Sequence, residues 1–175
     1  HTRVQQPFSL IDVKYNSTHF FDSLWQSPVE RSIFVQWLID NQYPVIHLVR
    51  ENCLEMYVSF LIGGCTQSFV VEKNSSVPEI PQLHLDIEEA IFQVQSRQRQ
   101  IKRFRRELGL ANQVEICYEE LIEADGGFSN EILEKLCRFL NLDEQLQINV
   151  PTRKLGRPLS EAITNFDEVA AAMML

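Results

Sequence analysis

A short apolar run in the first third of the chain most constrains the fold. Residues 44–49 are nearly continuous in apolar and β-branched side chains, which is typical of a strand buried on both faces in a parallel sheet. The run ends on Arg50. Asn52 can cap a helix that follows at once, and Gly63 and Gly64 are predicted to end that helix. A strand that passes directly into a helix is a βα unit, so the pattern predicts an α/β protein.

Capping residues and apolar spacing predict the remaining elements. These elements are a strand over residues 8–14, a helix over 28–41 opened by a capping box at Ser27, a long helix opened by Asp86 and closed by Gly109, a strand over 114–118, a helix capped by Ser129 and a last helix starting near Ser160. Strands alternating with helices predict a mainly parallel sheet flanked by helices. The length of 175 residues fits a single domain, residues 1–175.

Composition limits the partners and the compartment. The formal net charge is −8, so the chain as a whole repels nucleic acid, and we expect no nucleic-acid partner. No apolar run reaches the roughly 20 residues that span a bilayer, and we expect no integral membrane segment. The first seven residues lack the pattern of a signal peptide. The four cysteines form no Cys-x-x-Cys pair, which favours a reducing, cytoplasmic location and predicts no metal site.

Arg50 is the strongest candidate for binding chemistry. It lies where a strand passes into a helix, beside free backbone N–H groups and the positive end of the helix dipole. Its guanidinium fork suits a phosphate, and Ser59, about two turns into the helix, can supply a second donor. The competing interpretation is that Arg50 pairs with a nearby carboxylate such as Glu51 or Glu55.

The segment over residues 45–59 resembles the 3′-phosphate-binding segment of sulfotransferases that use 3′-phosphoadenosine-5′-phosphosulfate (PAPS). It is most similar to the bacterial branch related to trehalose and nodulation-factor sulfotransferases, in which a strand ends in Leu-x-Arg-x-Asn-x-Leu and a serine follows at the same separation. The resemblance implies a three-layer, P-loop NTPase-like fold. It also implies that Arg50 and Ser59 bind the 3′-phosphate of the nucleotide.

Two further segments are similar to parts of the same family. Residues 114–121 resemble its Tyr-Glu-x-Leu strand end, which implies that Tyr118 lies near the adenosine; a tyrosine there is equally well explained as a core residue. Residues 153–158 and 163–169 resemble the closing segment of the family, which implies that Arg153 and Lys154 approach the 3′-phosphate. Leu155 interrupts the family pattern there, and a solvated basic loop is the competing interpretation.

The resemblance spans about residues 8–169. One part of the family pattern, which precedes this region in the family, is missing. Members begin with a strand and a P-loop-like turn whose N–H groups hold the 5′-phosphosulfate. The sequence contains no such segment. We therefore expect that the chain lacks the family's N-terminal portion, either because it is a fragment or because a different chain supplies the loop.

Sulfuryl transfer needs a base for the acceptor hydroxyl and a cation near the transferred group. Lys14 matches a family position that often faces the active site, and His19 is the histidine placed to act as base. A carboxylate from the missing N-terminal part is the alternative base, and the resemblance favours it over His19. The basic cluster on the long helix can attract an anionic acceptor or PAPS, although a solvated helix face paired with neighbouring acids is the favoured interpretation. Its members are Arg97, Arg99, Lys102, Arg103, Arg105 and Arg106.

The sequence thus predicts an enzyme that moves a sulfuryl group from PAPS to a hydroxyl of a small molecule, lipid or carbohydrate, with 3′-phosphoadenosine-5′-phosphate (PAP) as product. The alternative is a non-catalytic domain that binds PAP or acts as a scaffold. An ordinary P-loop kinase is disfavoured because the chain has no Gly-Lys-Ser/Thr motif. A homo-oligomer is compatible with the sequence, which does not decide the oligomeric state.

Overall fold

The computed structural model describes residues 9–14, 32–68, 71–72, 79–122, 127–142, 148, 152–153 and 157–173. Within these ranges the helices are α1 (Ile33–Asp40), α2 (Cys53–Thr66), α3 (Ile87–Leu108), α4 (Asn130–Leu140), α5 (Leu159–Ala162) and α6 (Phe166–Met173). The strands are β1 (Val45–Val49), β2 (Val71–Glu72), β3 (Gln113–Cys117) and β4 (Thr152–Arg153), and a 3₁₀ turn covers Tyr118–Glu120.

The predicted α/β organisation is confirmed in its central unit. Strands β1 and β3 pair in parallel, in a register that runs from Val45 opposite Gln113 to Val49 opposite Cys117. The chain between them contains α2 and α3, which is the crossover that a parallel pair requires. Strands β2 and β4 form a separate antiparallel pair of two residues each.

Helices cover both faces of the β1–β3 pair, but not evenly. On one face Val45 and Val49 pack against residues of α3, and on the other Val114 and Ile116 pack against α4. The second face of β1 is open, since Ile46 is 38% and Leu48 49% exposed. The prediction that this strand is buried on both faces is therefore wrong for the described residues, because α4 covers β3 and does not extend over β1.

The largest apolar core lies between α2, α3, α5 and α6, away from the sheet. Asn165 connects the segment before α3 to the turn between α5 and α6. Its buried side-chain amide accepts from the N–H of Leu85 at 3.0 Å and donates to the carbonyl of Leu85 at 2.9 Å. The predicted last helix is accordingly two helices, since Ile163 leaves helical geometry and bridges to Leu83.

Some helix ends differ from the predicted ones. The first described helix begins at Ile33, because the Ser32 hydroxyl accepts from the N–H of Val35 at 3.1 Å; Ser27 lies outside the described residues. Helix α2 continues through both predicted stop glycines to Thr66 and is closed by Gln67, which has φ 51°. The long helix begins after Asp86 and ends before Gly109, as predicted.

The predicted strand over residues 8–14 is not present in its described part, residues 9–14. Leu10 is 88% and Ile11 73% exposed. Val13 packs against the cluster of Val35, Phe104 and Leu108, but no described strand pairs with this segment. In the part of the chain that the structure describes, none of the helices combines the length and the apolar character needed to cross a bilayer.

Candidate functional site

Arg50 lies at the carboxyl end of β1, directly before α2, and its side chain turns inward. Only 15% of the side chain is exposed, and the guanidinium carbon lies 4.7 Å from the ring centroid of Tyr118. This is the distance of a cation–π contact. Nε and Nη2 are buried and have no hydrogen-bond partner among the described residues. Two donors of a buried guanidinium are thus unsatisfied, which is costly unless a ligand or another group supplies oxygens.

Two carboxylates flank the guanidinium. Glu55 Oε1 lies 3.2 Å from Arg50 Nη2, and Glu119 Oε1 lies 3.9 Å from Nε. The first contact lacks the geometry of a hydrogen bond, and the second is too long for one. The pairing of Arg50 with Glu55 is the competing interpretation drawn from the sequence, and the structure does contain this ion pair.

The Glu119 carboxylate also lies at the N-terminus of α2. Its carboxylate accepts from the N–H groups of Glu51 at 3.2 Å and Asn52 at 3.1 Å, and the Cys117 thiol donates to it at 3.0 Å. Burial raises the pKa of Glu119, but these hydrogen bonds together outweigh burial, and the pKa is below its usual value. The N-terminus of α2 therefore holds a carboxylate of the chain itself, and the binding of a phosphate there stays a prediction.

The Asn52 cap is confirmed, and Ser59 lies within α2. The Asn52 side chain accepts from the N–H of Glu55 at 2.9 Å. Ser59 follows Glu55 by four residues, so both side chains lie on the same face of α2, one turn apart. Ser59 is half-buried, and within the described ranges its hydroxyl makes no hydrogen bond.

An open cleft of about 470 Å³ lies between the N-terminal turn of α2 and the segment that leads into α5. This volume is within the range of small-molecule sites. The cleft is lined by Asn52, Glu55, Arg157, Pro158, Leu159, Ser160 and Phe166. Arg157 is not among the phosphate ligands predicted from the sequence, although it belongs to the same basic segment as Arg153 and Lys154.

The other predicted phosphate ligands are only partly visible. The backbone of Arg153 pairs with Val71 in the β2–β4 ladder, and its side chain is not among those described. Lys154 lies outside the described residues. The structure thus adds Arg157 to the cleft and leaves the roles of Arg153 and Lys154 as predictions.

The two predicted catalytic residues are not brought to the cleft by any described contact. Lys14 is 73% exposed, and its Nζ lies 2.6 Å from Asp12 Oδ2. His19 lies outside the described residues. His47 is 3% exposed inside β1, consistent with its exclusion as a base from the sequence, and His84 contacts Thr164 Oγ1 at 3.1 Å.

A second polar cluster on the α3 face of the sheet was not predicted. Arg105 Nε donates to both carboxylate oxygens of Glu115, at 3.1 and 3.0 Å, and Nη2 contacts Glu51. His47 Nδ1 lies 3.1 Å from Glu115 Oε2. The hydrogen bonds from Arg105 lower the pKa of Glu115, whereas burial lowers the pKa of His47 despite the neighbouring carboxylate. The cluster fixes the C-terminal half of α3 against the sheet.

No described residues form a group of three or more His, Cys, Asp or Glu side chains able to hold a metal ion. Comparisons of the chain with protein-family models, with curated proteins and with solved structures find no match. Function is therefore inferred from the geometry around Arg50 and from the chemistry of the residues there.

Proposed function

We propose that the chain is a PAPS-dependent sulfotransferase domain that binds the 3′-phosphate of the nucleotide through Arg50. The observation that carries the proposal is the inward-turned guanidinium with two buried, unsatisfied nitrogens at the carboxyl end of a parallel strand. Ligands of open α/β sheets bind at that end, and a guanidinium fork matches the oxygens of a phosphate. The proposed reaction transfers a sulfuryl group to a hydroxyl of a small molecule, lipid or carbohydrate.

The neighbouring residues support this proposal in different ways. Ser59 lies on the face of α2 that Glu55 also occupies, so its hydroxyl is a second donor for the same phosphate. The face of the Tyr118 ring toward Arg50 is covered by the guanidinium, so we assign Tyr118 first to orienting Arg50. Arg157 lines the cleft and joins Arg153 and Lys154 as a candidate cation for the phosphates.

A non-catalytic PAP-binding domain is the second candidate, and the position of Lys14 favours it. A lysine that is 73% exposed and paired with Asp12 is unlike a cation held against a reacting group. Transfer of labelled sulfate from PAPS to a panel of hydroxyl acceptors separates the two candidates. Binding of PAP without transfer by the chain and by longer forms of it supports the non-catalytic domain.

The test of Arg50 compares two nucleotides that differ in one group. PAP carries the 3′-phosphate and 5′-AMP lacks it, so the ratio of their dissociation constants, measured by titration calorimetry, reports the 3′-phosphate contact. We expect the unmodified chain to bind PAP at least about tenfold more tightly, as one charge-assisted bidentate contact allows. In Arg50→Ala the ratio should approach one.

Two further variants make the test specific. Arg50→Lys keeps the charge and loses the fork, so its ratio should lie between those of the other two proteins. Arg138→Ala removes an exposed arginine of α4 and should leave the ratio unchanged. An equal preference for PAP in the unmodified chain and in folded Arg50→Ala contradicts the proposed site.

A further inference from the structure

The solvent-facing side of α3 carries one straight line of exposed residues. We call it the outer line; its members are Glu88, Phe92, Gln95, Arg99, Lys102 and Arg106. Successive members are four or three residues apart, so at 3.6 residues per turn all six lie within about 40° of one direction. The buried residues of α3, such as Ala90 and Phe104, lie on the opposite side.

Charge is distributed unequally along the outer line. Its N-terminal end is acidic at Glu88, and its C-terminal half contains the three cations. Phe92 between them is 57% exposed. Arg103 and Arg105, which lie beside the line, pair with Glu107 and Glu115. By contrast, the three cations of the line have no ion pair with any residue that the structure describes.

We propose that the outer line is the contact surface for a second copy of this chain, with the two α3 helices antiparallel. A two-fold axis opposite residue 97 places Glu88 against the partner's Arg106, Phe92 against the partner's Lys102 and Gln95 against the partner's Arg99. An ion pair, a cation–π contact and a hydrogen bond result, and symmetry makes each of them twice.

The geometry also indicates that the dimer is weak. The line is 18 residues long from Glu88 to Arg106, or roughly 27 Å at 1.5 Å per residue. One helix pair of this length buries less area than a standard stable interface. The two Arg99 side chains lie on either side of the two-fold axis, offset by roughly 6 Å along the helix direction, and repel each other. We therefore expect a dissociation constant of micromolar order at low salt, with strong dependence on salt.

The acidic end of the line favours a second copy over a polyanion or an anionic membrane. A uniformly negative surface that contacts the three cations also faces Glu88 and the neighbouring Glu89, and the net charge of −8 adds repulsion. An antiparallel copy instead places acid against base at both ends. The self-complementary charge pattern thus fits a second copy of the chain better than a polyanion or an anionic membrane.

Charge reversal tests the proposal in the full chain by sedimentation velocity across a range of concentrations at low salt. Glu88→Lys and Arg106→Glu each turn two attractive pairs into two repulsive ones, so each should raise the dimer dissociation constant on the order of tenfold. The double variant restores both pairs with reversed sign and should recover dimerisation. It retains both unfavourable helix-dipole effects, so recovery cannot come from greater helix stability.

Glu134→Lys and Arg138→Glu on α4 are the matched controls, since they change the net charge by the same amounts and lie away from the outer line; both should dimerise like the unmodified chain. A chain that stays monomeric at about 100 μM in low salt, far above the expected dissociation constant, overturns the proposal. A dimer that neither single reversal weakens also overturns it. Retention of a monomer on immobilised heparin that Arg106→Glu abolishes assigns the line to a polyanion instead.

Discussion

Replacing Glu119 by Gln should lower the free energy of unfolding, because it removes the negative charge at the N-terminus of α2. The carboxylate accepts two backbone N–H groups, at 3.2 and 3.1 Å, beside a guanidinium nitrogen at 3.9 Å. Gln keeps one acceptor oxygen and loses the charge. Loss of a capping interaction costs about 0.5–2 kcal/mol, and the charge–dipole contribution is about 0.3–1 kcal/mol. Because the side chain is 30% exposed, we expect a decrease of about 1 kcal/mol in the free energy of unfolding.

The pH dependence of the stability difference between the unmodified chain and Glu119→Gln shows whether the charge of Glu119 causes it. The pKa of Glu119 in the folded state is below its ordinary value of 4.5, so the folded state favours the ionised carboxylate. The stabilisation is therefore complete above that ordinary value and is lost as the pH falls through the folded pKa. Urea unfolding of the two proteins at pH 7 and at several values below about 4.5 measures this. A difference that persists unchanged under acidic conditions refutes the electrostatic explanation.

Two other substitutions test parts of the fold. The pKa of the buried His47 is lower in the folded state than its ordinary 6.5, so the stabilisation from the neutral ring is complete above pH 6.5 and is lost as the pH falls below it. His47→Gln should remove this decrease in the free energy of unfolding. A chemical-denaturation series that shows the same slope in both proteins argues against this. Gly64→Ala should raise the free energy of unfolding by about 0.5–1 kcal/mol, because a Cβ at this helical position meets no atom within 4 Å; a lower thermal midpoint would contradict the extent of α2.

Residues close in sequence explain the parts of the site that were predictable. The apolar run before Arg50 and the Asn52 cap are local signals, and both appear in the structure as β1 and the start of α2. The proximity of Arg50 to Tyr118 is predictable once the two strands are taken as parallel, because the carboxyl ends of parallel strands meet at one edge of a sheet. The register that pairs Val49 with Cys117 brings these two side chains together.

Glu119 shows why the rest was not predictable. It contacts backbone groups 67 and 68 residues earlier in the chain, and the sequence around it gives no sign that its carboxylate turns toward α2. The path of α2 through Gly63 and Gly64 is a similar case. Glycine is a frequent helix terminator, but Ile62 and Gly63 are buried, and tertiary packing outweighs the local preference.

The charges around Arg50 determine how a phosphate can bind there. Glu55 and Glu119 already balance the guanidinium, so a phosphate at the same place adds negative charge to a site that is not positive. A phosphate can bind to Arg50 only if Glu55 turns away from it, and Arg157, which lines the cleft with Glu55, is the candidate for a second cation. The gain that remains for Arg50 itself is hydrogen bonding, since neither carboxylate satisfies Nε or Nη2. Recognition at this site therefore depends more on the shape of the guanidinium fork than on its charge, which is why Arg50→Lys is the more informative substitution.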